Sequence, residues 1–152
     1  TNPYTISVWI KPSGTRNGSD YEGIINRIKS DNNSLTASNW GIGLHDCRQT
    51  NFTTCTSNIW EFVSLGETNC STASNSWHHI IATFDGTACN IYVDNMQQNL
   101  FSSSVTNPII QNFSDLLIGK DFTGAIDDVI IYDRVLSNSE RTQLYNLNGC
   151  CN

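Results

Sequence analysis

The run from Gly124 to Leu136, Gly-Ala-Ile-Asp-Asp-Val-Ile-Ile-Tyr-Asp-Arg-Val-Leu, passes straight into Ser137-Asn138-Ser139-Glu140. No other stretch constrains the fold as much. The first half reads as a β-strand carrying two adjacent carboxylates. Ser137 with Glu140 then forms a capping box, and Leu144 and Leu147 recur at a helical interval behind it. A strand closed by one short terminal helix, in a chain that otherwise reads as strands, points to an all-β domain.

The remaining strands follow from alternation and turn residues. Tyr4 to Lys11 alternates and stops at Pro12-Ser13-Gly14. Further strands are expected at Gly23–Ile28, Trp40–His45, Ile59–Leu65, Trp77–Phe84, Asn90–Val93, Met96–Phe101, Leu116–Gly119 and Ala125–Tyr132. Cys47 to Asn58 reads as loop. Asp85-Gly86 and Asp94-Asn95 are turn pairs that tolerate positive φ. About nine short strands at regular spacing argue an antiparallel β-sandwich.

The 152 residues are read as one domain, residues 1–152, large enough for a two-layer core. No apolar run approaches the roughly 20 residues that span a bilayer, and no signal peptide is seen. The net charge is −6, and the eight Lys and Arg residues are scattered. A nucleic-acid ligand needs a basic stripe, so nucleic acid is excluded as a partner. Six cysteines, at Cys47, Cys55, Cys70, Cys89, Cys150 and Cys151, form no C-x-x-C pair and suit disulfides in an oxidising compartment. Loop proximity suggests Cys47 with Cys55 and Cys70 with Cys89. Of the adjacent Cys150 and Cys151, one reaches back to the domain or out to a partner chain.

Three segments together resemble the laminin G-like domains of the concanavalin A-like lectin/glucanase superfamily. They are Tyr4–Pro12, Trp77–Gly86 with Ile91-Tyr92-Val93-Asp94, and Gly124–Leu136 with its capped helix. The resemblance implies a jelly-roll sandwich in a secreted or cell-surface protein that binds glycans or protein ligands, often with Ca2+ at the rim. Members usually carry one more strand before the one matching Tyr4–Pro12, and that segment commonly adds cation ligands. This chain starts almost directly on Tyr4. The resemblance therefore implies either a fragment of a larger protein or a strand supplied otherwise, and an uncovered sheet edge is sticky.

Asp127 and Asp128 are the candidate calcium ligands, since adjacent carboxylates at a strand supply hard oxygens. The alternative is a carboxylate that bonds nearby backbone N–H groups and fixes the turn. For a glycan, Arg27, Trp40, His45, Asp46 and Trp60 are the candidates: aromatic platforms for a sugar face, with polar groups for its hydroxyls. The alternative is ordinary cross-strand packing with a polar rim. Trp9 and Trp77 are assigned to the core, and His78-His79 to a strand whose neighbours face opposite ways. A hydrolase needs two carboxylates on one face, and neither that pattern nor a Gly-x-Ser-x-Gly elbow is found. The sequence thus reads as a non-catalytic glycan-binding module, with adhesion or assembly through protein contacts as the alternative.

Overall fold

The computed structural model describes residues 3–13, 22–28, 38–45, 49–54, 60–64, 75–97 and 115–147. The first strands are β1 (Tyr4–Pro12), β2 (Glu22–Ile28), β3 (Ser38–His45), β4 (Gln49–Thr54) and β5 (Trp60–Ser64). They are followed by β6 (His78–Phe84), β7 (Cys89–Val93), β8 (Met96–Gln97), β9 (Leu116–Ile118) and β10 (Gly124–Tyr132), and α1 (Asn138–Leu147) closes the chain. Among the described residues all pairings are antiparallel, in two five-stranded sheets: sheet A in the order β10-β1-β6-β7-β8 and sheet B in the order β5-β4-β3-β2-β9.

The strands formed where alternation placed them, with one addition. The stretch expected as loop between Cys47 and Asn58 contains β4, which pairs with β3 on one side and β5 on the other. Its sequence, Gln-Thr-Asn-Phe-Thr-Thr, has a single large apolar residue, so hydrophobic periodicity gave no signal. Threonine suits a pleated strand, and hydrogen bonding from both neighbours does the rest.

Between the sheets lies one apolar core. Ile6, Val8 and Ile10 of β1 enter it with Ile80, Ala82, Phe84, Ile91 and Val93 on sheet A, against Ile24, Ile25, Ile42 and Leu44 on sheet B. Consecutive isoleucines on β2 both reach the core because the strand is bulged: Gly23 faces Gly43 and Ile25 faces Ile42, leaving Ile24 as the extra residue. The turns behave as read. Asp85 accepts the Thr87 and Ala88 N–H groups at 2.8 and 2.7 Å, while Asp94 and Asn95, at φ 50° and 64°, reverse the chain between β7 and β8.

The capping box is formed. The Ser137 N–H donates to Glu140 Oε2 at 2.8 Å, and the Glu140 N–H reaches Ser137 Oγ at 3.4 Å. Arg134 grips the same carboxylate through both terminal nitrogens at 3.0 and 2.6 Å. Glu140 is thereby held down to about 2, chiefly by the Arg134 hydrogen bonds and then by Ser137. Side chains other than the leucines also dock the helix. Leu147 is exposed, whereas the Tyr145 ring stacks on Trp9 at 5.8 Å and Arg141 lies 4.0 Å over Tyr92. Trp9 is buried, as expected, but on the outer face of sheet A beneath the helix, outside the cluster between the sheets; Trp77 is half-buried just before β6.

Two buried groups tie this arrangement together. The Thr5 hydroxyl donates to the Arg134 carbonyl at 2.8 Å and accepts the Leu136 N–H at 3.0 Å, fixing the β10–α1 junction to β1. His79 pairs in register with Trp9, bonds Ser7 Oγ through Nε2 at 2.8 Å and stacks on Trp9 at 4.8 Å. Burial lowers its pKa to about 4, with nearby Asp94 acting in the opposite direction. Neighbouring His78 turns to the other side and meets Asp94 Oδ2 at 2.8 Å.

Thr5→Val keeps the shape of the side chain but strands the part-buried Arg134 carbonyl and the buried Leu136 N–H. It should lower unfolding stability by about 2 kcal/mol in urea titrations, and a variant indistinguishable from wild type would show that this tie is dispensable. Between the ordinary histidine value of 6.5 and about 4, the unfolded chain binds a proton at His79 that the folded chain refuses. Stability due to this group is therefore complete above that window and is lost as pH falls through it, by up to about 3 kcal/mol. His79→Gln, which cannot titrate, should flatten that part of the pH–stability curve measured by chemical unfolding.

Candidate functional site

Register places the residues of sheet B on two faces, since partners share a face and neighbours along a strand alternate. Leu117, Asn26, Gly41, Thr53 and Trp60 form one continuous cross-strand row on the outer face. Alongside it run the positions of Gly23, Gly43, Asn51 and Phe62, and then His45, Gln49 and Ser64. The inner rows contain Ile25, Ile42 and Leu44, which are fully buried.

This register divides the expected glycan residues. Trp60 and His45 occupy outer rows, about 14 Å apart along the strands and about 10 Å across them. Arg27 and Trp40 are directly paired, in the row parity of Ile25 and Ile42. The four therefore do not share one face. Glu61 pairs with Phe52, in the other row parity from Trp60. Asp46 lies outside the described residues.

The centre of the outer face is built from glycine and one amide. Asn26 is 1% exposed, and its side chain covers both Gly23 and Gly41, so that a Cβ at either position would collide with it. Gly23 also donates its N–H to the Lys120 carbonyl at 2.8 Å, which fixes the β9–β10 turn against β2. Sequence reading did not single out Asn26, although Gly-x-Gly at Gly41 and Gly43 inside a strand signals close approach by another group.

Asp127 and Asp128 sit in a bulge of β10. Trp9 pairs with Asp127 and Ser7 with Ile130, so Asp128 and Val129 together oppose Val8. Asp128 takes φ 48°, and its N–H donates to Asp127 Oδ1 at 2.9 Å. Both carboxylates are exposed, and Asp127 makes a backbone contact of the kind the alternative reading describes. No group of three or more His, Cys, Asp or Glu side chains suited to a metal occurs among the described residues. Cys89 is buried in the core on β7; Cys47, Cys55, Cys70, Cys150 and Cys151 lie outside the described residues.

Two antiparallel sheets packed over an apolar core, with a single capped helix on the outside of one of them, define a lectin-like β-sandwich. The laminin G model of the concanavalin A-like lectin/glucanases superfamily matches residues 1–140, and the chain belongs to that family. No curated protein sequence matches it significantly. Among solved structures, the binding domain of Paraclostridial Mosquitocidal Protein 1 is similar at TM-score 0.72 and 24% identity, over 96% of this chain and 37% of that one. Botulinum neurotoxin type C, whose cell entry is dependent upon interaction with two ganglioside molecules, is similar at TM-score 0.67 and 19% identity, over 96% of this chain and 36% of that one. Trypanosoma rangeli sialidase is similar at TM-score 0.65 and 16% identity, over 95% of this chain and 22% of that enzyme. The chain thus spans well under half of each of these proteins, and the likeness is one of fold.

The Asn26 arrangement generates a specific expectation. Gly41→Ala forces the buried amide out of its place and should cost about 1–3 kcal/mol. In an Asn26→Ala background the same substitution should cost much less, a non-additivity readable from a double-mutant cycle of unfolding free energies. Additive effects would mean that Asn26 does not occupy the space above Gly41.

Proposed function

We propose that this domain is a non-catalytic glycan-binding module whose ligand lies across the outer face of sheet B. The observation that carries the reading is the outer-row pattern itself. An aromatic position, Trp60, shares an outer row parity with His45 and with amide and hydroxyl positions at Asn51, Gln49 and Thr53. An indole offers a flat apolar surface to a sugar ring and keeps a polar edge, while amides donate and accept at once, as paired hydroxyls require. Lectin-like family membership and the ganglioside dependence named for one structural neighbour support the same class of ligand.

Binding rather than hydrolysis is favoured because the outer rows are positions of amides, hydroxyls and aromatics, with Glu61 in a row of the other parity. A hydrolase of this shape would set two carboxylates about 5–10 Å apart across the bound sugar. Calcium enters the proposal through Asp127 and Asp128 alone, on β10 of the other sheet. It is not expected to contact a sugar on sheet B.

The test is a glycan array of neutral and sialylated oligosaccharides, probed in calcium and in chelator. At least one glycan should be retained by wild type, and its affinity should fall by about tenfold or more in Trp60→Ala, the loss expected for one stacked ring. Met96→Ser, at an exposed position on β8 of sheet A, is the control and should bind normally. An array on which nothing binds, or binding indifferent to Trp60, would sink the proposal. Release of free sugar from any array glycan would overturn its non-catalytic part.

A further inference from the structure

The seat of α1 on the outer face of sheet A encloses a titratable ring. Register sets Asp127, Trp9 and His79 in one outer row, and Ile130, Ser7, Ile81 and Tyr92 in the next. The helix lies over both rows. Tyr145 stacks on Trp9 with its ring 6.0 Å from that of His79, and Arg141, one turn earlier, sits over Tyr92. Within these rows Ser7, Ile81 and His79 are no more than 2% exposed.

The seat fits only the neutral form of His79. Nε2 is paired with Ser7 Oγ at 2.8 Å, whichever of the two donates. Nδ1 is buried with no hydrogen-bond partner among the described residues, and Trp9 Nε1 beside it has none either. An imidazolium carries an N–H on both nitrogens, so the second would be buried without an acceptor. The charges around the ring do not supply one. Asp94, at the β7–β8 turn, already uses one oxygen on the His79 backbone N–H and the other on His78. Arg141 brings a second cation from α1, on the side of Tyr92. Asp127 of β10 is exposed and lies beyond Trp9 in the row. Ser7, Tyr92 and Tyr145 contribute hydroxyls and no charge.

The element easiest to move is the helix. None of its residues is fully buried, whereas β1 and β6 are fixed by their opposite faces in the apolar core. Its capping box is contained within residues 137–140, so the helix can leave its seat with its own start intact.

We propose that α1 is an acid-released cover: protonation of His79 lifts the helix off Trp9, His79 and Tyr92 as a unit, while the two-sheet core stays folded. Burial holds the seated ring down to about 4, against 6.5 for a hydrated one. The lifted state therefore binds the proton more tightly. Opening is rarest above this window and grows as pH falls through it, by up to about 300-fold.

The test is amide hydrogen exchange of the whole domain by NMR, read as protection factors at about pH 7 and about pH 4.5. Amides from Thr142 to Leu147 should lose about fiftyfold in protection over that interval, through an opening that low urea leaves unchanged. Ile80, Ala82 and Ile91 should stay better protected than the helix at both pH values. His79→Gln, which keeps a polar partner for Ser7 but takes no proton, should remove most of the fall. Tyr145→Ser loosens the seat from the helix side, so the His79 ring should then titrate closer to 6.5. Helix amides no less protected than Ile80 would overturn the proposal, by making the acid transition global. An equal fall in His79→Gln, or a His79 titration unmoved by Tyr145→Ser, would overturn it as well.

Discussion

The Thr5 hydroxyl, which joins β1 to the Arg134 carbonyl and the Leu136 N–H, is the tie on which the rest of the structure depends. It links residues 131 positions apart, and it does so at the strand that everything else meets. β1 lies between β10 and β6, sends Ile6, Val8 and Ile10 into the core, and offers Ser7 and Trp9 to the opposite side. Both faces of this strand are therefore buried, one against sheet B and one under α1. The buried Leu136 N–H, and in part the Arg134 carbonyl, would carry a desolvation cost without the hydroxyl between them. The helix is seated by this junction as much as by its own side chains.

That seating separates the surfaces by role. The outer face of sheet A is occupied where β1 and β6 pass beneath the helix, by the stack of Trp9, His79 and Tyr145. On the outer face of sheet B the centre is lined with glycine and Asn26, and Trp60 and His45 occupy outer-row positions away from that centre.

Much of this was legible in the sequence, for identifiable reasons. Alternation on Tyr4–Pro12 and on the β6 strand marks residues with one face in a core. The Asp-Gly and Asp-Asn turns and the Ser137–Glu140 box are local motifs whose chemistry is complete within a few residues. β4 was not legible, because it is held by its neighbours and not by its own composition. Trp9 was legible as buried but not as a helix platform, since nothing in a strand pattern says which of its faces a distant helix will cover. The glycan candidates show the same limit. Arg27 and Trp40 fall on one face and His45 and Trp60 on the other, a division set by pairing register and by a bulge at Ile24 that no single segment reveals.

The sequence by itself determined that this is an all-β sandwich of the laminin G kind closed by one capped helix. Those properties rest on periodicity and local hydrogen bonding, and both are written within short windows. Only the tertiary structure decided which faces are used. It set Asn26 over two glycines, turned Asp127 into an anchor for the Asp128 N–H, and left Ile118 and Ile131 half-exposed. The physical reason is that a side chain's face depends on cross-strand register, and its burial depends on whether another strand lies beyond. Both are properties of residues far apart in the chain.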